Sequence, residues 1–191
     1  MAEVCVAIAV VIGLLFLYAS LTARRLDRLH SLVAKSRRAL EQALTARAQY
    51  ARDFAASGGL DIASAIVLAE SAESCLHEGM RPIVPDGFYT IDGFSEEPAD
   101  AAHLPDRRDL ESSLSRTLRL TVDDLHEEEV GEAIRPLAAE LERARLNVRM
   151  TRSFHNSHVA QVHQVRRAPL VSFLHLYGRA PLPSTVDMDD E

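Results

Sequence analysis

An uncharged apolar run near the amino terminus constrains this chain more than any other feature. Residues 4–22 read VCVAIAVVIGLLFLYASLT and contain no Asp, Glu, Lys or Arg. At about 1.5 Å of rise per residue, a helix of this length extends about 28 Å, close to the ~30 Å hydrocarbon thickness of a bilayer. The run therefore predicts a transmembrane helix at residues 4–22, preceded by a short extracytoplasmic end at residues 1–3.

The flanks of this run favour an uncleaved anchor over a cleaved signal peptide. A signal peptide has a positive region before a shorter apolar core, and small residues at its cleavage site. Here Met-Ala-Glu precedes the run, and Arg24, Arg25 and Arg28 follow it. Because basic residues mark the cytoplasmic side of a span, these membrane-proximal arginines predict an external amino terminus and a cytoplasmic body in a single-pass protein of the cell membrane.

A helical pattern continues beyond the apolar run. No Pro or Gly occurs from Leu14 to Ser57, so we expect the spanning helix to continue unbroken to about Ala56. Its apolar positions recur on one side, and Arg47 interrupts them. They are Leu26, Leu29, Val33, Leu40, Leu44, Ala51 and Phe54.

Two shorter helices are predicted from caps and periodicity. Asp61 caps a second helix that runs to about His77, and Asp106 caps a third helix. The apolar face of the second helix is predicted to comprise Ile62, Ala65, Ile66, Ala69, Ala72 and Leu76, and that of the third Leu110, Leu114 and Leu118.

A long fourth helix is predicted next. It begins at Val130 or at Pro136, since Pro is favoured in a first helical turn, and it ends at Pro169. A final short helix is closed by Gly178. The apolar stripe of the fourth helix includes Leu141, Val148, Val159 and either Phe154 or His155.

These elements predict an all-α fold. We expect the amino-terminal transmembrane helix to continue into an antiparallel cytoplasmic bundle of about four helices over residues 23–178. Residues 79–105 are dense in Gly and Pro, which predicts a long loop inside that bundle. Residues 179–191 are expected to form an extended acidic tail.

Charge is distributed unevenly along the chain. Residues 22–56 carry eight Lys or Arg against three acids and residues 143–186 carry seven Arg and no acid, whereas residues 86–142 hold sixteen acids against five Arg. The basic helices could face anionic headgroups or an acidic partner. Neutralisation by the acidic segment within the bundle is the favoured interpretation, because charges beyond about 8 Å are screened. A pI of about 5.6 without interleaved aromatics argues against nucleic-acid binding.

Three histidines lie close together in RSFHNSHVAQVH, residues 152–163. At about 100° per helical residue, His155, His158 and His163 spread over roughly 140°, so one ion is not easily held by all three. His155 and His158 are candidate metal ligands at an i, i+3 spacing. Two-His helical sites usually include a nearby carboxylate, which residues 143–186 lack. Histidines that satisfy polar contacts are therefore the favoured interpretation, and no metal or other cofactor is predicted.

No catalytic motif accompanies these histidines. Ser153 or Ser157 beside His155 has no glycine-rich elbow, oxyanion loop or orienting acid. Phosphate-binding glycine motifs are also missing from the sequence. We therefore assign no catalytic residue.

Two segments resemble a known family. LTARRLDRLHSLVAKSRRALEQALTARAQYA, which directly follows a short span, is similar to the first cytoplasmic helix of LemA-like membrane proteins, with matches at Leu40, Leu44 and Arg47. RLNVRMTRSFHNSHVAQV resembles the last long helix of that family. The resemblance implies a membrane-anchored helical bundle inside the cell, but no particular reaction. Its packing motif corresponds here to Arg152, Phe154, His155 and Asn156, with Val159 following.

Nearly the whole chain also resembles a group of actinobacterial single-span proteins. The shared segments are RLDRLH, RSFHN and APLP. The chain departs from that group at Ser157 and His158, where an acidic and a small residue are more usual. His158 is therefore not a group-wide site residue under this resemblance.

The expected function is that of a non-enzymatic interaction or scaffold module at the inner face of the cell membrane. Its partners would be the bilayer and a protein that docks on the bundle, and the sequence leaves the oligomeric state open. A membrane-tethered metal protein or enzyme that uses His155 and His158 is the alternative. An exported helical domain is the third possibility, if the orientation is reversed.

Overall fold

The structure of the protein, a computed structural model, is built from helices. It describes residues 1–84, 86, 106–125, 131–178 and 180–190, and no strand occurs in these ranges. The predicted loop of residues 79–105 lies mostly outside the described residues. The helices are α1 (Ala2–Ala56), α2 (Ile62–His77), α3 (Arg107–Thr121), α4 (Arg135–Arg166) and α5 (Pro169–Phe173), with one 3-10 turn at Glu78–Met80.

Helix α1 is continuous, as the sequence without helix breakers predicted. Its amino-terminal part is apolar and long enough to cross a membrane, and the described chain does not bury it. The helix ends before Gly58, whose φ of +79° lies in the left-handed region that glycine adopts without a Cβ clash. The predictions of an all-helical chain and of one candidate membrane-spanning helix are therefore confirmed.

Three buried clusters join α1 to the rest of the chain, at increasing distance from the apolar run. From one cluster to the next, the residue numbers rise along α1 and fall along α4, so α4 lies antiparallel to α1. Helices α2 and α3 pack at the end of α1 farthest from the apolar run. The proximal cluster contains Leu26, Leu29, Val33, Val159, Val162, Val165 and Val171. The middle cluster contains Leu40, Ala43, Leu44, Ile83, Val84, Val148 and Val186. The distal cluster contains Ala48, Ala51, Phe54, Ala55, Leu68, Ala72, Cys75, Leu114, Leu118 and Leu141.

Helix α2 buries only part of its predicted apolar face: Ala72 enters the distal cluster, and Ala69 and Leu76 pack against it. Leu68, Ala72 and Cys75 enter the distal cluster, whereas Ile62 is 81% exposed and Ile66 is also exposed. Apolar residues occur on more than one side of α2, so periodicity alone does not select its buried face. Contact with α1 and α3 selects the Leu68 side.

Local signals place the ends of α3 and α4. The Asp106 side chain accepts a hydrogen bond from the Arg108 backbone N–H at 2.9 Å, as its cap position predicted. Helix α4 begins at Arg135 with Pro136 in its first turn, so the later of the two predicted starts is the observed one. His155, and not Phe154, occupies the buried position of its stripe.

Candidate docking groove

The carboxyl-terminal segment, defined here as residues 180–190, lies in a groove of the helical body. It contains no helix or strand, yet Val186 and Asp190 are buried. Arg166 of α4 contacts the start of the segment and Arg152 contacts its end. The segment therefore runs antiparallel to α4, away from the apolar run.

Asn156 of α4 binds the backbone of Val186 through both ends of its amide. Nδ2 donates to the Val186 carbonyl at 3.0 Å, and the Val186 N–H donates to Oδ1 at 2.9 Å. The Val186 side chain enters the middle cluster. This geometry pairs both backbone groups of one extended residue, so it recognises peptide conformation together with an apolar side chain.

Two further α4 side chains bind backbone carbonyls of the segment. His163 donates through Nε2 to the Pro183 carbonyl at 2.7 Å. Arg166 donates to the carbonyls of Ala180 and Pro181 at 3.1 and 2.8 Å. This part of the segment lies in no sheet, so its carbonyls take their hydrogen bonds from side chains of α4.

Two arginines hold the acidic end of the segment. Arg152 forms a two-pronged contact with Asp190, with distances of 2.6 Å from Nε and 2.7 Å from Nη2. Arg119 of α3 pairs in the same way with Asp189, at 2.9 and 2.6 Å. Paired Arg–carboxylate contacts of this kind are directional as well as charged. The groove thus favours acidic residues at this end.

A buried ion pair between Arg37 and Asp86 also contacts the segment. The guanidinium of Arg37 on α1 binds both carboxylate oxygens of Asp86, with 2.6 Å between Nη1 and Oδ1. Asp86 Oδ2 also accepts the Ser184 backbone N–H at 2.9 Å. Arg37 is fully buried, so it does not belong to the basic surface considered from the sequence. Its partner lies 49 residues away, which no local pattern reveals.

His155 lies behind the groove and is fully buried. Its Nδ1 is 3.1 Å from the Ser36 hydroxyl oxygen. Burial, reinforced by the positive charge of Arg37, lowers the pKa of His155 to about 4. The ring is therefore neutral near pH 7, and it forms part of the polar contacts between α4 and α1.

His155 and His158, the two candidate metal ligands, lie close together, but no third ligand side chain is grouped with them among the described residues. His158 lies close enough to His155 to disfavour its protonation, and its own Nδ1 is buried with no hydrogen-bond partner among the described residues. In the same residues, no group of three or more His, Cys, Asp or Glu side chains is placed to hold an ion. The pair would therefore need a ligand from outside these ranges.

The four residues of the family-like motif separate into two groups. Arg152 and Asn156 bind the carboxyl-terminal segment, and His155 packs toward α1. Phe154, which was expected to pack as well, is 59% exposed and belongs to none of the buried clusters. A step of about 100° from His155 turns it away from α1.

A second buried ionic network joins α1 to α3. Arg107 of α3 forms ion pairs with Glu41 of α1 and with Glu111 of α3, and Glu111 also pairs with Arg47 of α1. All four side chains are buried. Glu41 also accepts the Ile83 backbone N–H at 3.0 Å. Burial raises the pKa of Glu41, and Arg107 opposes that shift. Arg47, which interrupts the apolar stripe in the sequence, is thus neutralised inside the body.

The membrane-proximal arginines are placed differently from Arg37 and Arg47. Arg24, Arg25 and Arg28 are all exposed on α1, just after the apolar run. None of them forms an ion pair with a carboxylate within the described ranges. The structure thus separates these three exposed arginines from Arg37 and Arg47, which are buried and paired.

Sequence reasoning did not identify Asp86, Arg119, Asp189 and Asp190 as contact residues. The available signal was charge complementarity, because a stretch with seven Arg and no acid, residues 143–186, directly precedes a tail ending in DMDDE. That signal favours pairing but does not specify the partners. No family model, curated protein or solved structure matches this chain.

Proposed function

We propose that this chain is a single-pass, membrane-anchored interaction module without enzymatic activity, located at the inner face of the cell membrane. The apolar part of α1 is the anchor, and the body is an antiparallel bundle of about four helices. The length of that apolar part and its lack of burial support the anchor. The exposed Arg24, Arg25 and Arg28 after the run support a cytoplasmic body.

The single observation that carries the interaction role is the amide pairing between Asn156 and Val186. A helical surface that pairs the backbone of an extended segment is a peptide-binding surface. Here the chain's own carboxyl-terminal segment occupies it. We propose that a protein partner presents a similar extended segment, with an apolar residue for the middle cluster and acids for Arg152 and Arg119, and displaces the tail.

The LemA-like resemblance is part of this proposal. It implies a helical body behind a short span, and the continuity of α1 from the apolar run to Ala56 is compatible with that arrangement. The alternative, metal binding or catalysis through His155 and His158, has less support. His155 is fully buried, which leaves it inaccessible to a solvent-borne substrate.

Anchor and orientation are tested by fusing a reporter that fluoresces only in the cytoplasm to Glu191. We expect a fluorescent fusion that remains in the membrane fraction after alkaline washing. A silent reporter at normal expression would contradict the orientation, and release by the wash would contradict the anchor.

Groove binding is tested with the chain truncated after residue 179. A labelled peptide of residues 180–190 should bind the truncated chain saturably, and Asn156→Ala should weaken binding. Asn147→Ala, on the exposed side of α4, is the matched control, and a peptide of the same composition in scrambled order should not bind. In membrane crosslinking, a partner of this groove should be captured more efficiently by the truncated chain than by the full chain. Equal binding of both peptides would contradict the groove.

A further inference from the structure

An exposed apolar surface lies at the end of the body nearest the apolar run. We call it the apex, and it consists of Leu170, Phe173 and Leu174, in α5 and the turn that follows. All three side chains are exposed, and Phe173 is 80% exposed. Their spacing of three and four positions places them on one side of a helical turn, and exposed apolar side chains grouped in this way mark interaction sites.

The apex is fixed in place by the residues around it. Val171, which alternates with the apex residues, is fully buried in the proximal cluster together with Leu26 and Leu29 of α1. Leu176 and Tyr177 pack against the same cluster. The Arg166 guanidinium lies 4.2 Å from the centre of the Tyr177 ring, which ties the turn to the end of α4. The exposed apolar side chains are therefore held on a rigid support.

The depth of this support matches a membrane interface. Leu26 is four residues beyond Thr22, the last residue of the apolar run, which corresponds to about 6 Å along the helix. The headgroup region extends about 5–8 Å beyond the hydrocarbon on each side of a bilayer. If α1 spans the membrane, the end of the proximal cluster at Leu26 lies at the level of the headgroups, whereas Val33, about 16 Å beyond Thr22, lies past them. The apex adjoins this cluster through Val171.

The surrounding charge fits the same environment. Arg24, Arg25, Arg28 and Arg167 are exposed at this end of the body, and none of them is ion-paired within the described ranges. Asp27 is the nearest acid along α1. Each basic residue near an anionic membrane surface contributes about 1 kcal/mol of attraction. Apolar side chains flanked by unpaired arginines are the usual composition of an interfacial anchor.

We propose that the apex inserts into the interfacial layer of the bilayer that α1 spans, among anionic headgroups, as a second membrane contact. This inference rests on the proposed membrane anchor. It fixes the tilt of the body relative to the membrane, because a single spanning helix can tilt in any direction, whereas a second contact on one side of that helix favours one tilt. The docking groove then faces a constant direction relative to the membrane surface.

The test uses tryptophan as a depth probe, since the chain has no Trp of its own. Phe173→Trp is reconstituted as full-length protein in vesicles of zwitterionic and anionic phospholipid, with or without lipids brominated near the carbonyl end of their acyl chains. Phe16→Trp within the apolar run is the membrane control. Leu120→Trp, 73% exposed on α3, is the aqueous control, because the distal cluster begins about 40 Å beyond Thr22 along α1.

We expect Phe173→Trp to show blue-shifted emission and several-fold stronger quenching than Leu120→Trp, approaching that of Phe16→Trp. Quenching no stronger than that of Leu120→Trp would overturn the proposal. So would a blue shift without quenching, which would mean that a second copy or another protein covers the apex. Both of these results would leave the anchor intact as long as Phe16→Trp is quenched. An unquenched Phe16→Trp would overturn the anchor itself, and the apex contact with it.

Discussion

Arg47 of α1 and Glu111 of α3 form an ion pair of 2.8 Å in which the two side chains are only 2% and 1% exposed. Arg47 also donates to the Ser115 hydroxyl at 2.8 Å and to the Glu111 backbone carbonyl at 3.1 Å. The guanidinium is thus removed from water but has partners for both terminal nitrogens. Loss of Arg47 would leave the buried Glu111 carboxylate with only the longer Arg107 contact of 3.7 Å, and loss of Glu111 would leave the buried Arg47 guanidinium without a carboxylate partner among the described residues.

Replacing Arg47 tests this relationship. We expect Arg47→Ala to lower the free energy of unfolding by about 3–5 kcal/mol, because the Glu111 carboxylate would remain buried with its main cation removed. Arg52→Ala is the matched control on the same helix, and its exposed ion pairs predict a loss of about 0–1 kcal/mol. Urea unfolding of the detergent-solubilised full chain, followed by circular dichroism, measures both. Equal effects would contradict a special role for the buried pair.

The contact between Asn156 and Val186 predicts a local effect on the carboxyl-terminal segment. Each hydrogen bond has a net contribution of about 0.5–1.5 kcal/mol, so Asn156→Ala should favour release of the segment by about 1–3 kcal/mol. Hydrogen exchange of the Val186 amide should then become about 5- to 150-fold faster. Amides in the middle of α1 should keep their protection. Unchanged exchange at Val186 would show that the amide pairing does not hold the segment.

The buried His155 predicts a pH dependence of stability. The unfolded ring takes up a proton below its usual pKa of 6.5, whereas the folded ring does so only near its pKa of about 4. As the pH falls through this window, the unfolded state binds the additional proton, so the free energy of unfolding decreases by up to about 3 kcal/mol.

His155→Gln removes this contribution. Between pH 6.5 and 4, the free energy of unfolding of this variant should fall less steeply with pH than that of the wild type. The difference between the two slopes corresponds to about one bound proton. His77→Gln, at an exposed position, should retain the wild-type slope. Denaturant titrations at several pH values provide the measurement, and parallel curves for His155→Gln and the wild type would disprove the assignment.

Cys75 should be an unreactive thiol in the folded protein. Burial, with the nearby Glu111 carboxylate as the second cause, raises the pKa of Cys75 to about 12. Since the thiolate is the reactive form, a three-unit rise from 9.0 reduces it about a thousand-fold at neutral pH. In a Cys5→Ala background, iodoacetamide should therefore modify Cys75 only after unfolding, as measured by intact mass. Rapid modification of the folded chain would contradict its buried placement.

Local patterns were sufficient to predict the helices themselves. The ends of α2 at Ile62 and His77 and the Asp106 cap of α3 follow from caps, Gly and a 3.6-residue period, whereas α5 ends at Phe173, five residues before the Gly178 that was predicted to close it. Each of these signals involves residues only a few positions apart, so it can be recognised in the sequence without knowledge of the fold. The continuity of α1 through the apolar run was predictable for the same reason.

The contacts of the groove were not predictable in this way. Choosing between Phe154 and His155 for the buried stripe position required the rotation of α4 against α1, since both fit the period. The pairing of Arg37 with Asp86 joins residues 49 positions apart, and that of Arg119 with Asp189 joins residues 70 positions apart. Charge composition indicated that such pairs were available, but many combinations satisfied it equally.

Because hydropathy and helical periodicity are local properties, the residues alone were enough to predict the all-α fold seen across the described ranges and an amino-terminal helix apolar and long enough to cross a membrane. Three features appear only in the tertiary structure. Arg37 and Arg47 form ion pairs in the interior, and α2 buries its Leu68 side. The acidic tail binds Asn156 through the backbone of Val186. Each of these outcomes depends on which distant segments come into contact, since a buried charge or a buried backbone group is stabilised only by a partner that the fold brings to it.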